Sequence, residues 1–473
     1  DTKPVWLTAF TASGTGGEFA QPCDATVEAQ TGISNDLHEN ALKAATAKGS
    51  ETTPYNLSNN TGGNTVENTA NCYVVNAPGY YSLPLVYGNA IKNSATNASA
   101  YTSTVTGTNI LNPFINHAGN GITDPYISGN GCTPAKAELV WQDAMNLVTD
   151  IKYNADSNGG NISFKVDRSS IRQGNAVIAI KDVSDAILWS WHVWVTDEDI
   201  NNVIEITNHQ NVKYNFMPVN LGQCDGNTIT YEERSCKVKF IAGDQSKEIT
   251  IKQLANVIAT GSNAPFYQWG RKDPLYPSNG MGNTTKIWYD KEGIPSTANP
   301  MKGTFSAGND CIKNCILNPN LMHNRYNGDY TYYNLWSADN KTTSANDNPV
   351  NKTIYDPCPV GFKLPASNAF TGFTTTGESV SSSTQVNGTW SSSEKGWYFY
   401  TNSEKTQSIF FPALGYRSYS TMRPGSIGTQ GCFWSAHPVA KGNNYYLRTS
   451  SVDVQPTYMV DRGFGYALRP CQD

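Results

Sequence analysis

Short runs of alternating apolar and polar residues, separated by turn-forming residues, recur along most of the chain and predict β-strands. The runs GNAVIAIKD (174–182) and AILWSWHVWVTD (186–197) follow one another at a spacing typical of a β-sandwich. In the second run, alternate residues put Trp189 and Trp191 on one face of the strand and His192 on the other. We interpret the tryptophan face as sandwich core and His192 as a hydrogen-bonded residue of the sheet.

Sustained helical periodicity is scarce along the chain. Within the first 60 residues, only HENALKAATAKGS (38–50) has the pattern of a short helix, and Gly49 is placed to end it. The fold class predicted from these patterns is mainly β with some α.

The same patterns divide the chain into three segments. Residues 1–60 consist mainly of turn and loop material, either an irregular lead-in or the remnant of an upstream module. Residues 61–200 carry the strand runs of the sandwich. The acidic segment TDEDINN (196–202) lacks the alternating spacing and closing Glu of an EF-hand calcium loop, so we interpret it as a linker. Residues 201–473 then form a second β-rich domain, whose long polar loops are candidate recognition surfaces.

Charge and hydropathy exclude two classes of partner. Lys plus Arg is 34 and Asp plus Glu is 39, which gives a formal net charge of −5 without a basic run. This balance argues against a nucleic-acid partner. No stretch approaches the roughly 18 consecutive apolar residues of a transmembrane helix, so we predict no membrane span.

Ten cysteines in a weakly charged, strand-rich chain favour an oxidising compartment. Cys224 and Cys236 flank DGNTITYEERS, whose Asp-Gly turn signal predicts a hairpin that a disulfide between them would close. The segment CIKNC (311–315) lacks the second thiol or histidine pair of a structural zinc site, so we predict no metal there. The sequence leaves the pairing of the remaining cysteines open, among them Cys23, Cys72, Cys132, Cys311, Cys315 and Cys432.

Several segments together carry a resemblance to a known family. In chain order they include KYNFMPVNLG, FYQWGRKDP, NLWSADN, IYDPCPVGFKLPASNAF, WSSSEKGWYFYTN and GYALRPC. This series resembles the FISUMP-type (major paralogous) domain, a variant of the C-type lectin-like fold. Two earlier segments, NTANCYVVNAPGYYSLPLVYGNAI and GNAVIAIKDVSDAILWSWHVWVTD, resemble the sandwich that precedes that domain in fimbrial tip adhesins of lipoprotein-derived (type V) pili.

The resemblance implies a β-sandwich used for assembly at 61–200, followed by a C-type lectin-like α+β domain at 201–473. It also implies an extracellular place on an outer-membrane fimbrium, with other pilus subunits and a glycan or protein ligand as partners. In this fold the two ends of the lectin-like domain lie together. A disulfide between Cys358 and Cys471 would fit that closure; in the loop-entropy model it contributes about 4–5 kcal/mol.

Candidate ligand-binding residues are aromatic rings that can stack on a sugar face and polar groups near them. They are Trp390, Trp397, Tyr398, Tyr400, Trp434, Asn443, Asn444, Tyr446 and Arg448. In WYFYTN (397–402), alternate rings point to opposite sides of a strand, and one set must face the core. The chain has none of the EPN, QPD or WND tripeptides of sugar-binding C-type lectins, so the sequence does not support calcium and we predict no cofactor. Glycan and protein ligands stay equally open.

Two other function classes stay open. One is a purely structural pilus subunit that polymerises by strand addition at a sandwich edge. The other is an enzyme like the formylglycine-generating enzymes, which share a lectin-like core and use a redox-active cysteine pair; Cys432 would be the free thiol if Cys358 and Cys471 pair. The sequence shows no partner for Cys432, and nothing picks out the paired carboxylates of a glycosidase, a GxSxG elbow or an HExxH helix. We therefore predict a binding protein and not an enzyme.

Overall fold

The computed structural model describes residues 4–12, 25–29, 33–157, 159–226, 228–242, 244–259, 261–324, 331–440 and 442–473, so Cys23 lies outside the described residues. The predicted fold class, mainly β with some α, is confirmed, because strands far outnumber the two α-helices of this part of the chain. Neither helix is long and apolar enough to cross a membrane. The helices are Leu37–Ala44 and Asn309–Leu317, and short 3₁₀ turns occur at Ala98–Ala100, Ser128–Asn130, Thr371–Phe373 and Ser383–Gln385.

The helix predicted at 38–50 is present but ends at Ala44, before Gly49. Beyond the helix, the chain turns so that Lys48 forms a β-bridge with Gly79. Gly49 has φ +62°, and a Cβ there would lie 2.3 Å from the carbonyl oxygen of Tyr80. Gly49 therefore permits a close approach to a neighbouring strand instead of capping the helix.

The chain divides into two compact units. The small unit comprises Asp1–Leu37 and Gly226–Gly261, and the large unit comprises His38–Asp225 and Ser262–Asp473. The described strands of the small unit form three sheets: Leu7–Ala12 with Ala25–Ala29; Ile33–Asn35 and Asn256–Ala259 on either side of Thr228–Tyr231; and Arg234–Ala242 with Gln245–Gln253.

The hairpin predicted between Cys224 and Cys236 is wrong. Thr228–Tyr231 pairs with Asn256–Ala259, and Cys236 lies in a different hairpin. Both cysteines are free thiols, so the predicted disulfide between them is wrong as well. The Asp-Gly signal at Asp225 marks the point where the chain passes from the large unit to the small unit.

Two sheets of the large unit contain the strands predicted for the sandwich. Side chains from both sheets, such as Phe164 and Ile178, belong to one hydrophobic cluster. In sheet order the strands are Thr149–Asn154, Asn161–Val166, Gly79–Pro84 and Tyr55–Asn56 in one sheet, and Pro295–Ser296, Trp288–Tyr289, Lys136–Gln142, Gly174–Lys181, Ile187–Val195 and Cys72–Val75 in the other.

The tryptophan face of Ile187–Val195 is buried, as predicted, with Trp189 and Trp191 both inaccessible to solvent. On the opposite face, His192 Nε2 lies 2.9 Å from Asn175 Oδ1, and the Tyr267 hydroxyl lies 3.2 Å from His192 Nδ1. Burial lowers the pKa of His192 to about 3, so the ring is neutral. The prediction that His192 is a hydrogen-bonded sheet residue is confirmed.

The other strands of the large unit form smaller sheets, three of which are named here. The closing sheet is Ile204–Thr207, Lys213–Phe216, Cys471–Gln472 and Phe362–Lys363; the tyrosine sheet is Gly388–Ser391, Gly396–Tyr400 and Ser408–Pro412; and the arginine sheet is Gly431–Pro438, Asn443–Thr449 and Val454–Asp461. The rest are Tyr267–Gln268, Gly465–Tyr466, Tyr416–Arg417 and Pro424–Gly425 in one sheet, Met301–Gly303 with Leu321–His323, and Ile91–Lys92 with Ala95–Thr96.

The core of the large unit crosses the domain boundary predicted at residue 200. Trp194 and Leu468, which lie on either side of that boundary, belong to the same hydrophobic cluster. The division into segments 1–60, 61–200 and 201–473 stays a prediction.

The closing sheet brings the two ends of the second segment together. Phe216 pairs with Cys471, and Cys471 also pairs with Lys363 on its other side. The expectation that these ends lie together is confirmed, and backbone hydrogen bonds of a sheet hold them there.

The predicted disulfide between Cys358 and Cys471 is wrong, because both residues are free, buried thiols. Burial raises the pKa of Cys358 well above that of an ordinary thiol and the pKa of Cys471 to about 12. Both therefore stay protonated at neutral pH and behave as small apolar side chains.

A buried polar clamp holds the segment around Cys358 instead of a disulfide. Asp356 Oδ1 accepts a hydrogen bond from the Cys358 amide at 2.7 Å, and Oδ2 accepts one from the Leu364 amide at 3.2 Å. Lys352 Nζ donates to the carbonyl oxygens of Cys358 and Pro359 at 3.0 and 2.8 Å. Asp356 and Lys352 are both buried, so these bonds form away from water.

Candidate functional site

The two faces of the tyrosine sheet differ in burial. Trp397 and Phe399 are buried in the core, whereas Tyr398 and Tyr400 are half-buried on the opposite face. Phe410 lies directly across from Tyr398 in the next strand, and the two ring centres are 4.7 Å apart. We name Tyr398, Tyr400 and Phe410 the tyrosine face.

Polar side chains surround the tyrosine face. The Tyr398 hydroxyl donates to Glu394 Oε1 at 2.7 Å, and the Tyr400 hydroxyl lies 2.6 Å from Thr389 Oγ1. Partial burial and the Glu394 carboxylate raise the pKa of Tyr398 to about 12. Lys405 Nζ lies 5.5 Å from the centre of the Tyr400 ring. The face therefore combines flat rings held by hydrogen bonds with the donors and acceptors that a sugar or a polar peptide needs.

Sequence reasoning selected Tyr398 and Tyr400 but missed Phe410, Glu394 and Thr389. The signal for Phe410 is the alternation in SIFFP (408–412), where the neighbouring rings must point to opposite sides of the strand. Glu394 and Thr389 reach the rings through a hairpin, and single-strand alternation carries no information about that contact.

Gly396 gives the Phe410 ring its place. A Cβ at residue 396 would lie 2.6 Å from the Phe410 ring and 2.6 Å from the carbonyl oxygen of Phe411. The close packing of Phe410 over the strand therefore requires glycine.

Three of the predicted site residues on the arginine sheet belong to the core. Trp434, Tyr446 and Asn444 are buried. Trp434 Nε1 donates to the carbonyl oxygen of Tyr267 at 2.8 Å, and Asn444 Nδ2 donates to that of Ser435 at 3.0 Å. All three side chains are buried, so they act in packing and not in ligand contact, although Asn444 Oδ1 has no hydrogen-bond partner among the described residues.

The other two predicted residues on the arginine sheet are half-buried. Arg448 Nη1 donates to Asp453 Oδ2 at 3.1 Å and to Gln455 Oε1 at 3.2 Å. Asn443 pairs with Asp461 across the sheet. Arg448 therefore has carboxylate and amide partners of its own.

The nine predicted residues do not form one site. The buried faces of the tyrosine sheet and the arginine sheet contribute to the same hydrophobic cluster. Trp397 Nε1 donates to the Ser450 carbonyl oxygen at 2.7 Å, and Trp390 packs edge-on against Trp397 at 5.9 Å. The tyrosine face lies on the side of its sheet away from this shared core, so Tyr398 and Tyr400 are the predicted residues that the structure brings together at the surface.

The structure opposes Cys432 as a catalytic thiol. The side chain is buried, and burial raises its pKa to about 12 in spite of the positive charge of Arg448. A thiol of this kind is a weak nucleophile at neutral pH.

A narrow cavity lies beside the helix Asn309–Leu317. It offers about 40 Å³ to the centres of water molecules, and its lining is mostly apolar. Arg271, Lys272, Tyr355, Cys311 and Cys315 contribute to its wall. We name it the thiol cavity; sequence reasoning did not single out these residues as a group because they come from separate segments.

A buried ion pair stands in the wall of the thiol cavity. Lys272 Nζ lies 2.8 Å from both carboxylate oxygens of Asp273, and the Ser190 hydroxyl donates to Asp273 Oδ1 at 2.7 Å. Lys272 also lies 4.5 Å from the ring centre of Trp189. Burial lowers the pKa of Lys272 to about 8, although Asp273 opposes the shift.

A cluster around His38, which we name the His38 cluster, is the second polar site of the large unit. His38 Nδ1 lies 2.9 Å from Asp197 Oδ1, and Nε2 lies 3.5 Å from Asp225 Oδ2. Ligand atoms of His38, Glu198 and Asp225 lie within 4.8 Å of one another, a geometry that can hold a cation. Asp197 and Glu198 belong to the acidic segment interpreted above as a linker; His38 and Asp225 are distant in sequence.

His38 is expected to titrate at a higher pH than an ordinary histidine. Partial burial lowers the pKa of His38. The charge of Asp197, its hydrogen bond to the ring and the charges of Asp225 and Glu198 outweigh burial, so the pKa is raised above 6.5. The stabilisation by His38 is therefore present at acidic pH and lost as pH rises through the raised pKa.

NMR titration of the His38 ring is expected to show the raised pKa in the wild type and a lower pKa in Asp197→Asn. An unchanged pKa in that variant would contradict the assignment of Asp197 as the main partner.

Comparison of the chain with models of known protein families, with curated proteins and with solved structures found no match. Its function is therefore inferred from the geometry of the tyrosine face.

Proposed function

We propose that this chain is the tip subunit of a cell-surface fimbrium on the outer membrane. It assembles with other pilus subunits through residues 61–200 and binds a glycan or protein ligand through a lectin-like domain at 201–473. The observation that carries the proposal is the tyrosine face, a set of half-exposed rings with polar neighbours on a sheet whose other side is buried.

The tyrosine face is suited to binding for two physical reasons. Rings have few rotatable bonds, so ordering them on a ligand costs little conformational entropy. The hydrogen bonds of Tyr398 to Glu394 and of Tyr400 to Thr389 hold the rings before the ligand arrives. A ligand that stacks on the rings can then hydrogen-bond to Glu394 and to Lys405 at the edge.

The closing sheet supports the lectin-like part of the proposal. Pairing of Phe216 with Cys471 joins the beginning and the end of the second segment. Between them the resemblance implies two sheets and a long loop region, and the described strands of this part form several short sheets joined by loops.

An edge strand supports assembly. Thr149–Asn154 lies at the edge of its sheet, with one described neighbour, Asn161–Val166. The register shifts between Thr149 and Lys152, and Asp150 has φ +52°, so the beginning of the strand is irregular. Irregular edges resist strand addition, and an incoming strand would therefore pair with the regular end of the strand, from Lys152 to Asn154. The same edge favours the second candidate function, a purely structural subunit that assembles without a ligand.

Replacing Tyr398 with alanine is expected to weaken ligand binding by about 10- to 30-fold, because the loss of a central aromatic contact costs about 1.5–2 kcal/mol. The ligand is first found by screening the full chain against a glycan array and a panel of surface proteins, and dissociation constants are then measured for each variant. Tyr398→Phe keeps the ring and is expected to lose far less affinity than Tyr398→Ala.

Tyr458→Ala is the matched control for this experiment. Tyr458 is 45% exposed and lies on the arginine sheet, so it tests the general effect of removing an exposed ring. Equal loss of binding in Tyr398→Ala and Tyr458→Ala would contradict the assignment of the tyrosine face. Failure of the wild type to bind any glycan or protein would favour the purely structural subunit.

A further inference from the structure

Cys311 and Cys315 place two thiols on one side of a helix. They lie four residues apart within Asn309–Leu317, so their side chains lie one above the other. Both thiols line the thiol cavity. Cys311 is buried, whereas Cys315 is half-buried. Cys315 is therefore the thiol that a small molecule reaches first.

Positive charge stands beside the two thiols. Arg271 and Lys272 contribute to the same cavity wall, and Arg271 is 6% exposed. Arg271 Nη1 donates to Gln268 Oε1 at 3.0 Å, but its buried Nε has no hydrogen-bond partner among the described residues. A guanidinium with a spare buried donor favours a negative charge in the cavity.

The environment of Cys315 favours the thiolate. The hydrogen bond from Cys311 lowers the pKa of Cys315 to about 7; burial and the charge of Asp273 oppose the shift, and the charges of Arg271 and Lys272 assist it. The hydrogen bond and burial raise the pKa of Cys311, so Cys311 keeps its proton. One thiol is thus prepared to attack and the other to follow.

We propose that Cys311 and Cys315 form a redox-active dithiol that exchanges with small disulfides of the RSSR class at the thiol cavity. The Cys315 thiolate attacks one sulfur of RSSR, the S–S bond breaks, and RS⁻ leaves, which gives a mixed disulfide on Cys315. The Cys311 thiol then loses its proton to solvent and attacks the Cys315 sulfur, which releases the second RS⁻. The protein is oxidised by two electrons to a Cys311–Cys315 disulfide, and RSSR is reduced to two thiols.

Helix geometry makes the oxidised form reachable and reversible. Residues four apart in an α-helix have Cα atoms about 6 Å apart, which lies inside the range of disulfides. Their Cβ atoms are about 5–6 Å apart, whereas a disulfide needs about 3.5–4.5 Å. The last turn of the helix, which ends at Leu317, must therefore tighten on oxidation. A strained disulfide is more easily reduced, so the dithiol returns when reductant is supplied.

The other thiols of the large unit are poor competitors. Burial raises the pKa of each of them. The pKa rises to about 12 for Cys224, Cys432 and Cys471. These thiols stay protonated at neutral pH and react slowly with disulfides. They are Cys72, Cys132, Cys224, Cys358, Cys432 and Cys471.

The test treats the full native chain with oxidised glutathione and follows it by intact mass and peptide mapping. The wild type is expected to lose two hydrogen atoms and to yield a Cys311–Cys315 cross-linked peptide, which mild reductant reverses. Cys311→Ser is expected to stop at the mixed disulfide and retain glutathione on Cys315. Cys315→Ser is expected to remain unmodified at Cys311.

Cys236→Ser is the matched control, because Cys236 is the half-buried cysteine of the small unit. It is expected to leave the Cys311–Cys315 reaction unchanged. The proposal is overturned if the wild type stays unmodified at residues 311 and 315, or if glutathione attaches to Cys236 alone. Thermal melting of each variant shows that the fold is intact. The rate of mixed-disulfide formation is also measured as a function of pH. Its midpoint is expected near pH 7, the pKa of Cys315, in the wild type and at a higher pH in Cys311→Ser. This shift separates a reactive pair from two independent thiols.

Discussion

Replacing Asp273 with alanine is expected to destabilise the folded chain by about 3–5 kcal/mol, the range for removing one partner of a buried ion pair. Lys272 and Asp273 are 3% and 2% exposed, so the pair is shielded from bulk water. The variant leaves the Lys272 ammonium buried without its counter-ion and the Ser190 hydroxyl without its acceptor. Urea unfolding of the full chain, followed by tryptophan fluorescence, measures the loss.

The pH dependence of this loss has a defined sign. The pKa of Lys272 in the folded state is already lowered to about 8 by burial, and removal of Asp273 lowers it further. The difference between wild type and variant comes from the charge of Lys272 in the two folded states. It is therefore full below the folded-state pKa of the variant and shrinks as pH rises to about 8, where the wild-type lysine also loses its proton. The difference in unfolding free energy between wild type and variant is therefore expected to narrow at alkaline pH.

Glu205→Ala is the matched control for Asp273→Ala. Glu205 pairs with Lys213 at 2.8 Å, but both side chains are mostly exposed. Its removal is expected to cost about 0.5 kcal/mol or less, since water solvates both partners. Equal destabilisation in the two variants would contradict the view that burial makes the Lys272–Asp273 pair important.

Replacing Asp356 with alanine is expected to cost about 3 kcal/mol or more, because two buried amides lose their acceptor at about 1–3 kcal/mol each. Those amides belong to Cys358 and Leu364. The buried Lys352 ammonium also loses the nearby negative charge. The measurements are the denaturation midpoint of the full chain and the rate of proteolysis within residues 355–366, which are expected to loosen together.

Two controls accompany this variant. Asp290 accepts hydrogen bonds from the amides of Glu292 and Ile294 at an exposed turn, so Asp290→Ala removes the same kind of contact where water can replace it. It is expected to cost about 1 kcal/mol or less. Reductant is expected to leave the wild-type midpoint unchanged, because Cys358 and Cys471 are free thiols. A midpoint that falls on addition of reductant would show that a disulfide, and not the Asp356 clamp, fastens this segment.

Local alternation in the sequence was sufficient to predict the faces of individual strands. It predicted that Trp189 and Trp191 are buried and that the rings of WYFYTN lie on two sides of the strand. The structure confirms both predictions. Alternation did not say which set of rings faces outward, because both sets are aromatic and only the neighbouring sheet decides. The core cluster behind Trp397 and Phe399 makes that decision.

Contacts between distant segments were beyond the sequence. The small unit combines residues before Leu37 with residues after Gly226, and nothing local indicates that Ile33–Asn35 pairs with Thr228–Tyr231. One local turn signal in the same region was assigned to the wrong hairpin. The Asp-Gly pair at 225–226 was interpreted as a hairpin turn, whereas the hairpin that forms joins the alternating runs SCKVKFIA and QSKEITIKQ.

The candidate sites also differ in whether local sequence or contacts between distant segments determine them. Tyr398 and Tyr400 were predicted because ring-bearing strands can be recognised in sequence. The His38 cluster and the Lys272–Asp273–Ser190 group were missed because their members come from separate segments. The predicted Cys358–Cys471 disulfide assigned the closure of the domain to cysteine, whereas the structure assigns it to backbone pairing and to Asp356 in the same YDPCP segment.

The pairing of Asn35 with Thr228 constrains the order in which a ribosome can complete this protein. At about 5–20 residues per second, the intervening chain takes roughly 10–40 s to make. Throughout that interval the strand Ile33–Asn35 has emerged without its partner, so it must be kept from pairing with other nascent edges. The small unit is therefore completed late, although part of it is synthesised early.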